Sequence, residues 1–215
     1  RSTEALVRWQ HPQRGLVGPE VFVPLAEEMG LTGLLTASVL RAALAQCQAW
    51  QRQGLSLGVG VNLSLANLRD VQLGEVVLNL LRAYDVSPRR LCIELTEGSI
   101  MADQARSLAV LARLADAGVH VSVDDFGTGY SSLVYLKRLP VGVVKIDRSF
   151  VMDMVANEAD AIIVRSIITM AHSLGVRVVA EGVETVQVWE MLRELECDAA
   201  QGYYVSHPLS GDDLA

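Results

Sequence analysis

Apolar positions along this chain follow two spacings that take turns. Runs with strand-like patterning occupy residues 4–9, 57–63, 91–96, 119–123, 143–146, 176–180 and, more weakly, 199–204. Between them, apolar residues recur at helical spacing over 19–29, 34–51, 73–84, 103–117, 158–174 and 185–195. Pro19 suits a first helical turn, and Gly30 and Gly54 close the first two helices. Gly118 and Gly175 stand where a helix C-cap leads into the next strand, and Thr185 is placed as an N-cap.

Strands alternating with helices at this spacing predict right-handed βαβ units and a parallel sheet. The count is about seven strands, one short of a closed eight-stranded barrel. A doubly wound open sheet is the alternative. It is weakened because polar residues end nearly every strand, where an open sheet would gather them in one crevice at a switch point. The expected fold is therefore α/β, a (β/α)8 TIM-like barrel whose first strand is missing from this fragment. One domain over residues 1–215 is expected, truncated at its N-terminus, because the chain opens directly on a strand pattern and lacks an initiator Met.

Composition narrows the chemistry. Hydrophobic residues make up 51% of the chain and aromatics only 5%, which suits buried parallel strands better than a β-sandwich. A net charge of −7 argues against binding a DNA or RNA duplex through a basic patch, and implies that metals supply the positive charge if the ligand is a phosphate. Cys47, Cys92 and Cys197 are an odd, widely spaced set, read as buried free thiols in a reducing compartment. No apolar run approaches the roughly 20 residues that span a membrane. A cytoplasmic domain is expected, with any membrane anchor of the full-length protein lying upstream.

The stretch Val121-Ser-Val-Asp-Asp-Phe-Gly-Thr-Gly-Tyr130 carries the most chemistry. An apolar strand ends there on two adjacent carboxylates, which repel unless a cation lies between them. Other strand ends supply Asn62, Glu94, Lys145 with Asp147, Glu181 and Gln201, and Glu4 stands at the start of the first strand. Oxygen donors without His or Cys support suit Mg2+ or Mn2+ far better than Zn2+. His11, His120, His172 and His207 are scattered and read as ordinary helix, strand or loop residues. Any one acid is as easily a turn former or helix cap as a ligand. For Asp103 and Asp198, capping or solvation is the better reading, and Glu97 and Glu184 are placed to brace loops. Five strand ends with metal-compatible oxygens and one lysine exceed what capping needs. On the residues alone, a divalent-metal enzyme follows; carbon-acid chemistry with a lysine base and phosphodiester hydrolysis both remain open.

An ordered set of motifs goes further. Glu4-Ala5-Leu6, Val61-Asn-Leu-Ser64, Glu94-Leu-Thr-Glu97, Asp124-Asp-Phe-Gly-Thr-Gly-Tyr-Ser-Ser-Leu133, Lys145-Ile-Asp-Arg-Ser-Phe-Val151, Ala180-Glu-Gly-Val-Glu-Thr185 and Gln201-Gly-Tyr203 together resemble the EAL-domain cyclic di-GMP phosphodiesterases. The resemblance covers nearly the whole chain and implies hydrolysis of cyclic di-GMP to linear 5′-pGpG. It implies Glu4, Asn62, Glu94 and Asp124 as ligands of one Mg2+ or Mn2+ ion. Asp124 would bridge to a second ion held by Asp125 and Glu181, and Ca2+ would inhibit. Lys145 would contact the attacking water, Glu181 would act as general base, and Arg8, Asp147 and Gln201 would face substrate. Glu97 and Glu184 would brace the loop 125–132, which in the family couples metal binding to homodimerisation. Upstream sensory or GGDEF domains are expected in the full-length chain. Gly98 departs from the more usual Ser, and His207 stands at a position that is usually basic. A catalytically inactive cyclic di-GMP-binding or protein-interaction module is the alternative reading; such members usually lose a metal ligand or the loop motif, and neither is lost here.

Overall fold

The computed structural model describes residues 2–129 and 136–214. The chain divides into two compact units, Arg1–Glu94 with Asp103–His120, and Leu95–Ala102 with Val121–Leu214.

In the first unit, β1 (Ser2–Glu4) pairs in parallel with β4 (Gly58–Leu63), with Glu4 opposite Gly60, and β5 (Leu91–Thr96) lies on the other side of β4. An antiparallel hairpin of β2 (Trp9–His11) and β3 (Gly15–Val17) turns through Gly15 at φ 71. Helices α1 (Pro19–Glu28), α2 (Thr32–Arg52), α3 (Leu65–Leu68), α4 (Leu73–Ala83) and α6 (Gln104–Asp116) complete the unit. Helix α2 packs on β4 and α4, and α4 on α6. Their apolar stripes bury Leu40, Leu44, Val77, Leu81, Leu111 and Leu114 around Val59, Val61 and Ile93.

The second unit holds the strands β6 (His120–Phe126, from Val121 on), β7 (Val143–Ile146), β8 (Arg177–Ala180) and β9 (Ala199–Ala200), each paired in parallel with the next. Helix α5 (Glu97–Ala102) follows β5, and α7 (Arg148–Asp153), α8 (Glu158–Ser173) and α9 (Val186–Glu194) follow later strands. Helix α8 covers β7 and β8 with Val164, Ile168 and Ala171, which are all buried.

Among the described residues, seven strands outside the β2–β3 hairpin thus alternate with helices, the number and order read from the patterning. Gly118 and Gly175 have the positive φ of C-caps (94 and 72), and Thr185 accepts the Val188 amide as an N-cap. Asp103 caps α6 through Arg106. Several boundaries differ. The expected strand 4–9 ends at Glu4, because Leu6 turns outward and Trp9 begins the hairpin. The last strand shrinks to Ala199–Ala200, and α3, α5 and α7 form where only strand ends and loops were expected. Each of those three has six residues or fewer, too short to display a helical period. Cys47 is buried, which pushes its thiol up to about 11 against the opposing charge of Arg90. Cys92 and Cys197 are half-buried rather than fully buried, and all three are free thiols. Among the described residues no helix is long and apolar enough to cross a membrane.

Candidate active site

On a regular strand, Asp124 and Asp125 would point to opposite faces. They do not, because β6 is irregular at this point. Its register with β7 shifts between Val123 and Phe126, and Asp125 sits at φ 52. Such a bulge re-aims side chains, and aspartate tolerates positive φ better than most residues. Asp124, Asp125 and Glu181 each present an oxygen, and the three lie within 4.8 Å of one another. Glu181 directly follows β8, where its amide bonds to the Ile146 carbonyl at 3.1 Å.

Lys145, near the end of β7, is 3% exposed. Its Nζ lies 3.3 Å from Asp124 Oδ1 and 2.6 Å from Glu181 Oε1, so one ammonium ties two of the three acids. Asp147 follows β7 and caps α7, accepting from both the amide and the hydroxyl of Ser149. Burial, then the negative charges of Asp124 and Asp147 and a hydrogen bond with Asp147, hold the Asp125 carboxyl above the usual range, with Lys145 opposing. Burial pushes Asp147 the same way, but Ser149, Asp125 and Arg148 outweigh it and leave Asp147 below the usual range.

Glu97 opens α5 and is 5% exposed. Its Oε2 accepts the Gly127 amide at 3.3 Å, and a β-carbon on Gly129 would lie 2.7 Å from its Oε1. The loop backbone therefore runs directly over this carboxylate. The rest of the expected loop, residues 130–132, lies outside the described residues. Glu184 is exposed, with no side-chain hydrogen bond or ion pair among the described residues. Gln201 is exposed just beyond β9, fixed through its backbone to Ala180 and Val183.

In the first unit, Asn62 Nδ2 donates to Glu4 Oε1 at 2.7 Å. Glu94 is 6% exposed and lies over Gly60, where any side chain would collide with it. Glu4 and Glu94 offer oxygens within 4.8 Å of each other. Arg8 is exposed beyond β1 and bonds the carbonyl of its neighbour Val7.

The donor chemistry of both clusters fits a hard divalent cation: carboxylates and one amide, with no His or Cys. Three participants were given no role in the site by the sequence. Ser149 and Gly182 flank the acids. Asp198, expected only to cap or be solvated, instead joins β8 to α8, its Oδ2 accepting from the Val178 amide and pairing with His172, both at 2.8 Å. His172 is thus not merely an ordinary helix residue.

Acids grouped at strand ends of an α/β fold define a class of candidate divalent-metal enzymes. Within it the chain belongs to the EAL domain family, whose model matches residues 1–208. It is 42% identical over 212 residues to the bifunctional diguanylate cyclase/cyclic di-GMP phosphodiesterase MucR of Pseudomonas aeruginosa, covering 98% of this chain and 31% of that protein. It is 44% identical over 207 residues to the cyclic di-GMP phosphodiesterase NbdA of the same organism, covering 96% of this chain and 26% of the relative. The chain thus spans under a third of these relatives' lengths. The solved structure of the PaMucR phosphodiesterase in a c-di-GMP complex superposes with a TM-score of 0.95 at 41% identity, covering 99% of this chain and 86% of that one. The EAL enzyme Bd1971, in its cAMP- and cyclic-di-GMP-bound form, follows with a TM-score of 0.93 at 29% identity, covering 99% and 59%. The fold is therefore the TIM-barrel-like α/β fold of EAL domains.

Proposed function

We propose that this domain hydrolyses cyclic di-GMP to linear 5′-pGpG with Mg2+ or Mn2+. The observation that carries the reading is the gathering of Asp124, Asp125 and Glu181 around Lys145 in a family whose relatives bear that activity in their names. The proposed ligands are those the family resemblance implies: Glu4, Asn62, Glu94, Asp124 and Asp125, with two ions. When bound, divalent cations neutralise phosphate charge and lower the pKa of coordinated water.

The chain's own residues supply the rest. Glu181 accepts a proton from the attacking water, and Lys145 orients that water and offsets charge building on the phosphate. The water oxygen bonds to phosphorus as the bond from phosphorus to the 3′ oxygen breaks. The proton taken by Glu181 is returned to that oxygen, leaving a 5′ phosphate and a 3′ hydroxyl. Arg8, Asp147 and Gln201 contact substrate, and Glu97 and Glu184 hold the loop. The same reading includes a homodimer; it also includes further regulatory domains in the full-length protein, and the greater length of the relatives supports those domains.

The test is turnover by the purified full-length protein, with products separated by chromatography. Linear 5′-pGpG is expected with Mg2+ or Mn2+, with none in excess chelator and none with Ca2+, which is larger and looser in geometry. Undiminished turnover in chelator overturns metal dependence. Binding of cyclic di-GMP without turnover in either metal replaces hydrolysis by sensing.

A further inference from the structure

Away from the acids, one groove of the first unit is charged against the rest of the chain. Helices α4 and α6 pack together, and a cavity of about 450 Å3 lies open between them. It is lined by Gly74, Ala105, Ala109 and the largely exposed Val71, and by two arginines, Arg106 and Arg113, with no acid among them. The whole chain carries 25 acids against 18 lysines and arginines, so the groove reverses its sign locally. Neither guanidinium has an ion pair or side-chain hydrogen bond among the described residues. The Arg113 stem crosses α4, with its Cδ 3.3 Å from where a β-carbon on Gly74 would stand.

The spacing of the two cations narrows the ligand. They lie seven positions apart on α6, two helical turns or roughly 10 Å along the axis. A single phosphate or carboxylate is much smaller than that, whereas two acids seven positions apart on a docked helix have the same repeat. Small lining residues let such a helix approach closely.

Helix α1 has this character. It carries Glu20, Glu27 and Glu28 and no lysine or arginine, and Glu20 and Glu27 are seven positions apart. Beside them Val21 and Leu25, with Met29 directly after the helix, form a row one turn apart, each half or more exposed. No ion pair occupies these three glutamates among the described residues. Since the row is exposed in its own chain, its own groove does not hold it.

We infer that α1 of one copy docks in the α4–α6 groove of a second copy, with Glu20 and Glu27 against Arg106 and Arg113, and Val21, Leu25 and Met29 over the small residues. This contact is distinct from the homodimer of the reading above and does not depend on it. One short helix covers less area than a permanent dimer needs, so the association is weak and reversible.

The experiment is sedimentation of the full-length protein over a range of concentrations, at low salt and again at high salt. The parent is compared with a groove variant, Arg106→Glu with Arg113→Glu, and a helix variant, Glu20→Lys with Glu27→Lys. Both variants alter exposed positions, and circular dichroism checks their folding. The parent is expected to associate with rising concentration, less so in high salt. Each variant alone should associate at least about tenfold more weakly, because like charges then face each other. An equimolar mixture of the two variants should regain the parent's association, since each supplies the other's opposite charge. A parent with no concentration-dependent association beyond species that both variants keep overturns the inference. So does parent-like association in the helix variant alone, whatever the groove variant does, and so does failure of two folded variants to recover on mixing. Binding of a synthetic leucine–glutamate amphipathic helix by a parent that does not self-associate assigns the groove to a different protein and also overturns it.

Discussion

Substituting Gly182 by alanine tests whether α7 and the Glu181 strand end are packed as one piece. Gly182 sits at φ 71, and an added β-carbon would lie 2.5 Å from Arg148 Cβ, 3.2 Å from Arg148 Cα and 3.3 Å from Met152 Cγ. Two costs are separable. Left-handed backbone costs an L-residue roughly 1–2 kcal/mol. Forcing atoms into a filled contact adds roughly 1–3 kcal/mol, because Arg148 is met at its backbone and β-carbon, which cannot swing away as a side-chain tip does. Gly175, in the same unit, supplies the control. It has φ 72 and nothing within 4 Å of its would-be β-carbon. Gly175→Ala therefore carries the conformational cost alone.

Urea unfolding followed by circular dichroism should place Gly182→Ala below Gly175→Ala by about 1–3 kcal/mol, the clash alone. Relief of the clash moves either α7 or Glu181, so turnover should fall about tenfold or more in Gly182→Ala, as small misplacements at a reacting centre do. It should be unchanged in Gly175→Ala. Equal destabilisation of the two variants with full turnover in both would refute the packing argument.

Glu181→Gln removes the proposed base while keeping its shape, so Mn2+ and cyclic di-GMP binding should persist while kcat falls on the order of a hundredfold or more; single-turnover assays beside binding isotherms check this. Glu97→Ala removes the acceptor of the Gly127 amide and should lower turnover, metal affinity and self-association together, each by about tenfold, in kinetics, Mn2+ titration and sedimentation. Burial pushes Asp198 upward, but hydrogen bonds from His172 and the Val178 amide and the charges of His172 and Arg177 win and leave it below the usual range. Its stabilisation is then full above the unfolded value near pH 3.9 and lost as pH falls through the lower folded value. Asp198→Asn should cost about 1 kcal/mol at pH 7, the low end for a part-exposed pair, with the gap to the parent closing in acid; urea midpoints from pH 7 down to 3 measure it.

How much of this was legible beforehand depended on how far each feature extends along the chain. Strands 91–96 and 143–146 were read with the bounds they have, since apolar runs flanked by turn residues are local signals. Ala5-Leu6-Val7 looked equally strand-like, yet only the Ala5 amide continues the ladder, to Gly60, before Leu6 turns to solvent. Nothing local separates an apolar residue that pairs from one that does not. The acids were found as a set because each ends a strand. The bulge that brings Asp124 and Asp125 together was not, because a register shift is a property of two strands. Asp198 was given only a capping or solvated role for the same reason: its partners, His172 and the Val178 amide, lie on other elements.

Lys145 explains how the second unit tolerates its acids. Asp124 is 9% exposed, and its neighbours Asp125 and Glu181 offer oxygens within 4.8 Å of it. Three such carboxylates repel strongly when partly withdrawn from water. One ammonium at 2.6 and 3.3 Å offsets part of that repulsion. It holds the oxygens of Asp124 and Glu181 close together. The lysine thus acts as a built-in counter-charge to Asp124 and Glu181.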